Sequence, residues 1–309
     1  MQWGNFQEFK ELVRERVEQS LLDAVSSDLY NPNANVGYKT CLACTRVQDV
    51  AWYAVQGGHR WRAMVTIAAG RIFHEDAFFK CLPASAAVEL AHAASLILDD
   101  LPSMDDGEVR RGLPCAHLRF ADTPWAVDMA PVYMVNLAYL IALRNTRTGY
   151  RERVESALEM SRTSHAMIAG QELDVTQDMA RELDTDYGML KCYEAKSGAL
   201  YASAAKVGAI TCSANKEESE RFYDAGMLIG MAYQFMDDVC DIVGSIATSG
   251  KNPGQDAGKK RTAVDFFGVE GARGKAFEFQ ENAIDQLAGY GKAADTLRDI
   301  ARNASWALS

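Results

Sequence analysis

Val88-Glu-Leu-Ala-His92-Ala-Ala-Ser-Leu-Ile-Leu-Asp99-Asp100-Leu-Pro-Ser-Met-Asp105-Asp106 joins an apolar helical run to four carboxylates. A second run, Ala225 to Met236, ends in the same way at Asp237-Asp238-Val-Cys-Asp241. Carboxylates at the end of a buried helix are costly unless a cation or a hydrogen-bond network compensates them. Asp237 and Asp241 are four apart, so a helix sets them on one face with Asp238 beside them. Two such clusters facing each other across a helical cavity form a cage for hard divalent cations. Magnesium prefers carboxylate oxygens and bridges to substrate phosphates, so the pair points to a diphosphate-handling site. One cluster alone reads equally well as solvated acid at a helix end. Asp105-Asp106-Gly107-Glu108 lacks the alternating ligand order of a calcium loop.

Working outward, helical periodicity recurs and strand signals are almost absent. Phe9, Leu12, Val13, Val17, Leu21 and Leu22 make Phe6 to Val25 an amphipathic helix. Helices are also expected over Trp61–Phe73, Val88–Asp100, Glu152–Ala169, Met189–Val207 and Lys216–Gly244. Trp125 to Arg144 is apolar nearly all round, as in a helix buried at a core or interface, with Pro131 marking a kink or a late start. Glycines and prolines cluster at 31–40, 107–114 and 245–258, which read as loops. The fold class is all-α.

The 309 residues, 48% hydrophobic and with 7 prolines, show no linker, low-complexity tract or fixed repeat, so one domain over 1–309 is expected. A net charge of −10 argues against nucleic acid as a partner and against stable attachment to an anionic membrane. Bound cations can reverse that sign locally for an anionic substrate. No run of 18 apolar residues and no signal-peptide core is visible, so no membrane insertion and a cytoplasmic location are expected. The seven cysteines are scattered, and most read as buried thiols in a reducing compartment. Cys41 and Cys44 form a CxxC with no second pair to complete a zinc site.

Five segments in order resemble the trans-prenyltransferases, and within them bacterial geranylgeranyl diphosphate synthase. They are Gly57-Gly58-His59-Arg60-Trp-Arg62, the first aspartate region through Arg110-Arg111-Gly112, Lys196-Ser197-Gly198, Tyr233-Gln234-Phe-Met-Asp237-Asp238-Val-Cys-Asp241 and Asp256-Ala-Gly-Lys259-Lys260-Arg-Thr262. The resemblance implies a large helical bundle around a central cavity, a homodimer, and head-to-tail condensation of isopentenyl diphosphate with an allylic diphosphate to geranylgeranyl diphosphate. It implies magnesium, three ions with substrate bound, on Asp99, Asp100, Asp105, Asp237, Asp238 and Asp241. It assigns Arg110 to the allylic diphosphate and Arg111 to the isopentenyl one. Gly58, His59, Arg62, His92, Lys196, Ser197, Gln234 and one of Lys259 and Lys260 complete the substrate contacts. Asp99, Asp100, Asp105, Arg110, Lys196, Gln234 and Asp237 are the implied catalytic set. Gln171, in Gly170-Gln171-Glu-Leu-Asp174, belongs to another familiar segment and is expected in the cavity wall.

Two departures from the family pattern stand out. His59 occupies the place of the usual lysine, and Leu98 stands where many relatives carry histidine. A histidine replaces a lysine fully only when protonated, and its ordinary pKa is about 6.5. The expectation is therefore a Michaelis constant for isopentenyl diphosphate that worsens above neutral pH. Product length is expected from Ala94 and Ser95, one turn below Asp99, whose small side chains leave room for a twenty-carbon tail. Met129 and Met134 are candidates for its stop. A terpene cyclase on the same fold, or a non-catalytic partner of a synthase, are the competing readings. Arg62, His92, Arg111 and two intact aspartate clusters argue against them.

Overall fold

A computed structural model describes residues 3–26, 45–176, 185–243 and 261–303. The 31–40 and 245–258 loops, Cys41 and Cys44, and Lys259 and Lys260 lie outside the described residues. The elements run α1 (Phe6–Ser26), α2 (Thr45–Val55), α3 (Trp61–Arg71), α4 (Ala77–Asp99), β1 (Val109–Arg110), β2 (Leu113–Pro114), α5 (Ala116–Arg119), α6 (Pro124–Leu143) and α7 (Tyr150–Val175). They continue with α8 (Asp186–Tyr193), a π-helical turn (Glu194–Gly198), α9 (Ala199–Thr211), α10 (Lys216–Val243), α11 (Ala263–Gln286), a 3-10 segment (Ala288–Ala294) and α12 (Asp295–Asn303). The fold is all-α, as expected, apart from one small hairpin.

The amphipathic stripe of α1 is realised as Phe9, Val13, Val17, Leu21 and Val25, all buried at four-residue spacing. Each fully buried side chain of this size contributes roughly 1.5–3 kcal/mol. That stripe packs on α2, α3 and α4. Helix α4 is central: α1, α2, α3, α6, α7 and α9 all pack against it. It begins eleven residues before the sequence expectation, at Ala77, because Phe78 and Cys81 continue the buried face N-terminally. Helices α9, α10 and α11 form the opposite side, with α9 against α3 and α10 against α9 and α11.

Three expectations need correction. Helix α6 starts at Pro124, an N-terminal position that suits proline, and runs unbroken through Pro131. The 107–114 stretch is not plain loop: Val109 pairs with Pro114 and Arg110 with Leu113 around a two-residue turn. Both turn residues, Arg111 (φ 55°) and Gly112 (φ 74°), take the left-handed conformation that matches strand twist in tight hairpins. Finally, Ala77–Asp99 and Pro124–Leu143 are long and apolar enough to cross a membrane by composition, although neither was visible as an uninterrupted apolar run. The first is mostly buried inside the bundle, as a core helix is, and the second is less than half buried. The five described cysteines (Cys81, Cys115, Cys192, Cys212 and Cys240) are buried free thiols.

Candidate active site

The carboxylates gather where α4 ends. Asp99, at its last position, Asp105 in the following turn and Asp174 near the end of α7 bring ligand oxygens within 4.8 Å of one another. An all-oxygen set of this kind suits a hard divalent cation. Lys196 Nζ donates to Asp174 Oδ2 (2.6 Å) and Asp99 Oδ1 (2.9 Å), and Gln171 Nε2 donates to the same Asp99 oxygen (3.0 Å). Burial works against the charge of Lys196, but Asp99 and Asp174 outweigh it and raise its pKa. Asp174 escaped the sequence reading as a ligand. Its signal was there: Gln171 and Asp174 are three apart and share a helix face, so both can reach Asp99.

Lys196 lies within the expected Met189–Val207 helix, at a Lys-Ser-Gly sequence that reads as a turn-like break of it. Instead the chain continues through a π-helical turn, Glu194–Gly198, a local widening common at functional sites. The turn is held by close approach. A Cβ on Gly170 of α7 would lie 2.4 Å from the Lys196 backbone nitrogen, so this face of α7 needs a glycine there. Ser197 Oγ donates to Gln234 Oε1 (2.6 Å), tying the turn to α10.

The other predicted aspartates do different things. Asp100 is buried, and both its oxygens accept from Arg110, Nη2 at 2.5 Å and Nε at 3.0 Å. Asp238 lies on the buried side of α10, where it accepts from Tyr193 Oη, the Ala263 amide (2.9 Å) and Gln234 Nε2 (2.9 Å). It thereby ties α8, α10 and the first residue of α11 together. Burial pushes its carboxyl up to about 7. Asp237 and Asp241 are half-buried on the adjoining face of the same helix. Thr262, at the end of the fifth family-like segment, caps α11 reciprocally with Asp265.

A cationic group lies beside the carboxylates. Two neighbouring arginines part company at the hairpin. Arg110, in a strand, turns to Asp100 and Asp99, while Arg111, in the turn, donates through Nη1 to the carbonyls of Gln56 (3.0 Å) and Ala54 (3.1 Å). The Gly57–Arg60 turn meets it. Gly57 (φ 67°), Gly58 (φ 86°) and Arg60 (φ 59°) are left-handed, and a Cβ on Gly58 would come within 2.9 Å of the Arg111 guanidinium. Arg60 itself is buried on Glu89 and the Val55 carbonyl, where it anchors the start of α3. Arg62 lies 4.3 Å over the Tyr201 ring and donates from Nη1 to His92 Nε2 (3.1 Å). A guanidinium cannot accept, so His92 is the acceptor and neutral.

Positive charge is in excess here. Burial, then Arg62, Arg111, Arg110 and Arg60, hold His92 well below the ordinary histidine value. Burial and Arg60 lower Arg111 to about 10, with Glu89 opposing. His59 is also lowered, by burial and then by Lys10, Arg14 and Arg111. These cations disfavour its charged form in the open turn, and a bound anion would favour it.

On α4, Ala94 is buried and Ser95 half-buried, with Ser95 Oγ donating to the His92 carbonyl. Met134 is fully buried, but Met129 is 53% exposed on α6 and cannot floor a cavity within this chain.

Carboxylate oxygens placed to suit a hard cation thus lie next to a crowd of arginines at the head of a helical bundle, as in proteins that take an anionic ligand. Residues 44–295 match the polyprenyl synthetase model. Farnesyl diphosphate synthase of Escherichia coli (strain K12) is 32% identical over 244 residues, 78% of this chain and 81% of that protein. Geranylgeranyl pyrophosphate synthase 6, mitochondrial, of Arabidopsis thaliana is 35% identical over 242 residues, 76% of this chain and 71% of its own. The crystal structure of an FPP/GFPP synthase from Zymomonas mobilis superimposes with a TM-score of 0.80 at 26% identity, over 97% of this chain and 99% of that one. The chain belongs to the polyprenyl synthetase family, the trans-isoprenyl diphosphate synthases, and is a prenyltransferase.

Proposed function

We propose that this protein is a magnesium-dependent prenyltransferase, one domain over 1–309, that condenses isopentenyl diphosphate with allylic diphosphates as far as geranylgeranyl diphosphate. The observation that carries the reading is the adjoining of two subsites of opposite charge, Asp99–Asp105–Asp174 with Lys196, and Arg62–His92–Arg111 beside the Gly57–Arg60 turn. Asp99, Asp105 and Asp174 would hold metal, with Asp237 and Asp241 as the second set. Held by these residues, magnesium would supply the charge that neutralises the allylic diphosphate as a leaving group.

The chain's own groups do the rest. Arg110, fixed by Asp100, and Lys196, fixed by Asp99 and Asp174, present protonated donors to the allylic diphosphate. Arg62 and Arg111 bind the isopentenyl diphosphate as fork-shaped donors. His92 positions Arg62 through Nε2. The departing diphosphate leaves an allylic cation, the isopentenyl double bond attacks it, and a proton is lost to the released diphosphate. Ser197 and Gln234, locked to each other and to Asp238, line the junction. Water is kept from the cation by an apolar wall that includes Ala94.

Ala94 and Ser95 are small, which supports a twenty-carbon product over a fifteen-carbon one. Trp125, Met129 and Val132 on α6 are exposed apolar residues, which supports pairing through this helix in a cytoplasmic homodimer. The test is an assay with labelled isopentenyl diphosphate and dimethylallyl, geranyl or farnesyl diphosphate, products resolved by length. A twenty-carbon diphosphate, lost with chelator, is expected. Cyclic hydrocarbon, or diphosphate release without incorporation, refutes the reading.

A further inference from the structure

Trp61 opens α3 two residues after His59, and α1 is seated on it. Phe6 stacks on its indole with centroids 6.3 Å apart and planes inclined by 20°, and Lys10 Nζ lies 5.6 Å over the same ring. Lys10 and Arg14 are one helical turn apart, so they share a face of α1. Phe9 and Val13, beside them in sequence, are fully buried, which fixes the orientation of that face. Cations therefore converge on the Gly57–Arg60 turn from two elements, Arg111 from the hairpin and Lys10 with Arg14 from α1. Burial first, and then Lys10, Arg14 and Arg111, disfavour the protonated form of His59. Glu11 and Glu15 are exposed on neighbouring positions of α1, and Glu18 is half-buried one turn beyond Arg14.

The turn itself has lost a charge. A neutral imidazole at position 59 offers an uncharged hydrogen bond, and charge-assisted bonds are roughly twice as strong. We propose that Lys10, with Arg14 behind it, supplies from the N-terminal helix the ammonium contact to isopentenyl diphosphate that the Gly57-Gly58-His59-Arg60 turn lacks. This rests on the prenyltransferase reading above and adds to it a substrate-binding residue from α1. Lysine suits such a contact because its charge sits on a flexible four-carbon stem that can leave the Trp61 face and reach a phosphate oxygen.

Lys10→Met keeps an unbranched stem on Trp61 and removes the charge. Lys10→Arg keeps the charge. The expected result for Lys10→Met is a rise of about tenfold in both the KM and the calorimetric Kd for isopentenyl diphosphate, against a factor of ten per 1.4 kcal/mol. The KM for the allylic substrate stays within about twofold, by the same conversion. Lys10→Arg retains tight binding, and adding His59→Lys to Lys10→Met restores it. The His59 titration, followed by NMR, moves upward in Lys10→Met. Unchanged isopentenyl diphosphate binding in Lys10→Met, or a loss shared equally by both substrates, overturns the proposal and leaves the prenyltransferase reading intact. If the unmodified protein itself binds no isopentenyl diphosphate, both fall.

Discussion

Gly170→Ala tests how the active site is held together. The new methyl would meet the Lys196 nitrogen at 2.4 Å, the Ala195 carbonyl carbon at 2.7 Å and Lys196 Cα at 2.8 Å. All three are backbone atoms, so no side chain can swing aside. Ordinary contact begins near 3.4 Å, and α7 and the π-helical turn must separate by about 1 Å. Two effects then compete. Alanine is the better helix former by roughly 0.5–1 kcal/mol, whereas overpacking a tight contact costs about 1–3 kcal/mol. The steric term prevails, for a net loss of up to about 2 kcal/mol. The larger effect is on chemistry. Gln171 and Asp174 ride on α7 and Lys196 on the turn, so the separation opens the Asp99–Lys196–Asp174 cluster. A misplacement of about 1 Å can lower a rate about 100-fold. Urea denaturation and initial-rate kinetics measure the two separately. Gly274→Ala is the control, since a methyl there meets nothing within 4 Å, and it should stabilise α11 by about 0.5–1 kcal/mol without affecting rate. A Gly170→Ala protein as active as the parent, or stabilised like the control, would refute the reasoning.

Ala94→Phe should shorten the main product by at least one five-carbon unit in a chain-length assay, and an unchanged product removes Ala94 from the cavity wall. Burial, Lys10, Arg14 and Arg111 lower the pKa of His59 in the free protein and a bound diphosphate raises it, so the gain in isopentenyl diphosphate affinity is full below the lowered value and is lost as pH rises from there through the bound value. The ratio of KM in the parent to that in His59→Lys should therefore rise with pH from the acid side, and a ratio that does not change with pH contradicts this assignment. Tyr193→Phe removes the hydroxyl that donates to Asp238 and accepts from the Ala263 amide. It should cost about 1–3 kcal/mol in denaturant unfolding, while a loss near zero would mean that the α8–α10–α11 tie is not structural.

The helices were legible in the sequence because burial writes a period into a chain. Phe9, Leu12, Val13, Val17, Leu21 and Leu22 recur at three- and four-residue spacing, which a helix gathers on one side and a strand would split between two faces. The same holds for Asp99 and Asp237, each closing an apolar run, and for the arginines and lysine quoted with them. What stayed hidden was pairing across distance. Asp174 lies 75 residues from Asp99 in the chain, and only the packing of α7 against α4 and the π-helical turn brings their carboxylates together around Lys196. Asp100 and Asp238 look identical to their neighbours as letters. Their burial against Arg110 and Tyr193 turns them from exposed acids into anchors. Sequence by itself determined which residue types the chemistry has at its disposal and the helical class of the fold, because both are properties of local composition and period. The tertiary structure alone decided which carboxylates face one another, which arginine turns to Asp100 and which to the Gln56 carbonyl, and that α1 packs on Trp61, because those depend on elements meeting from far apart in the chain.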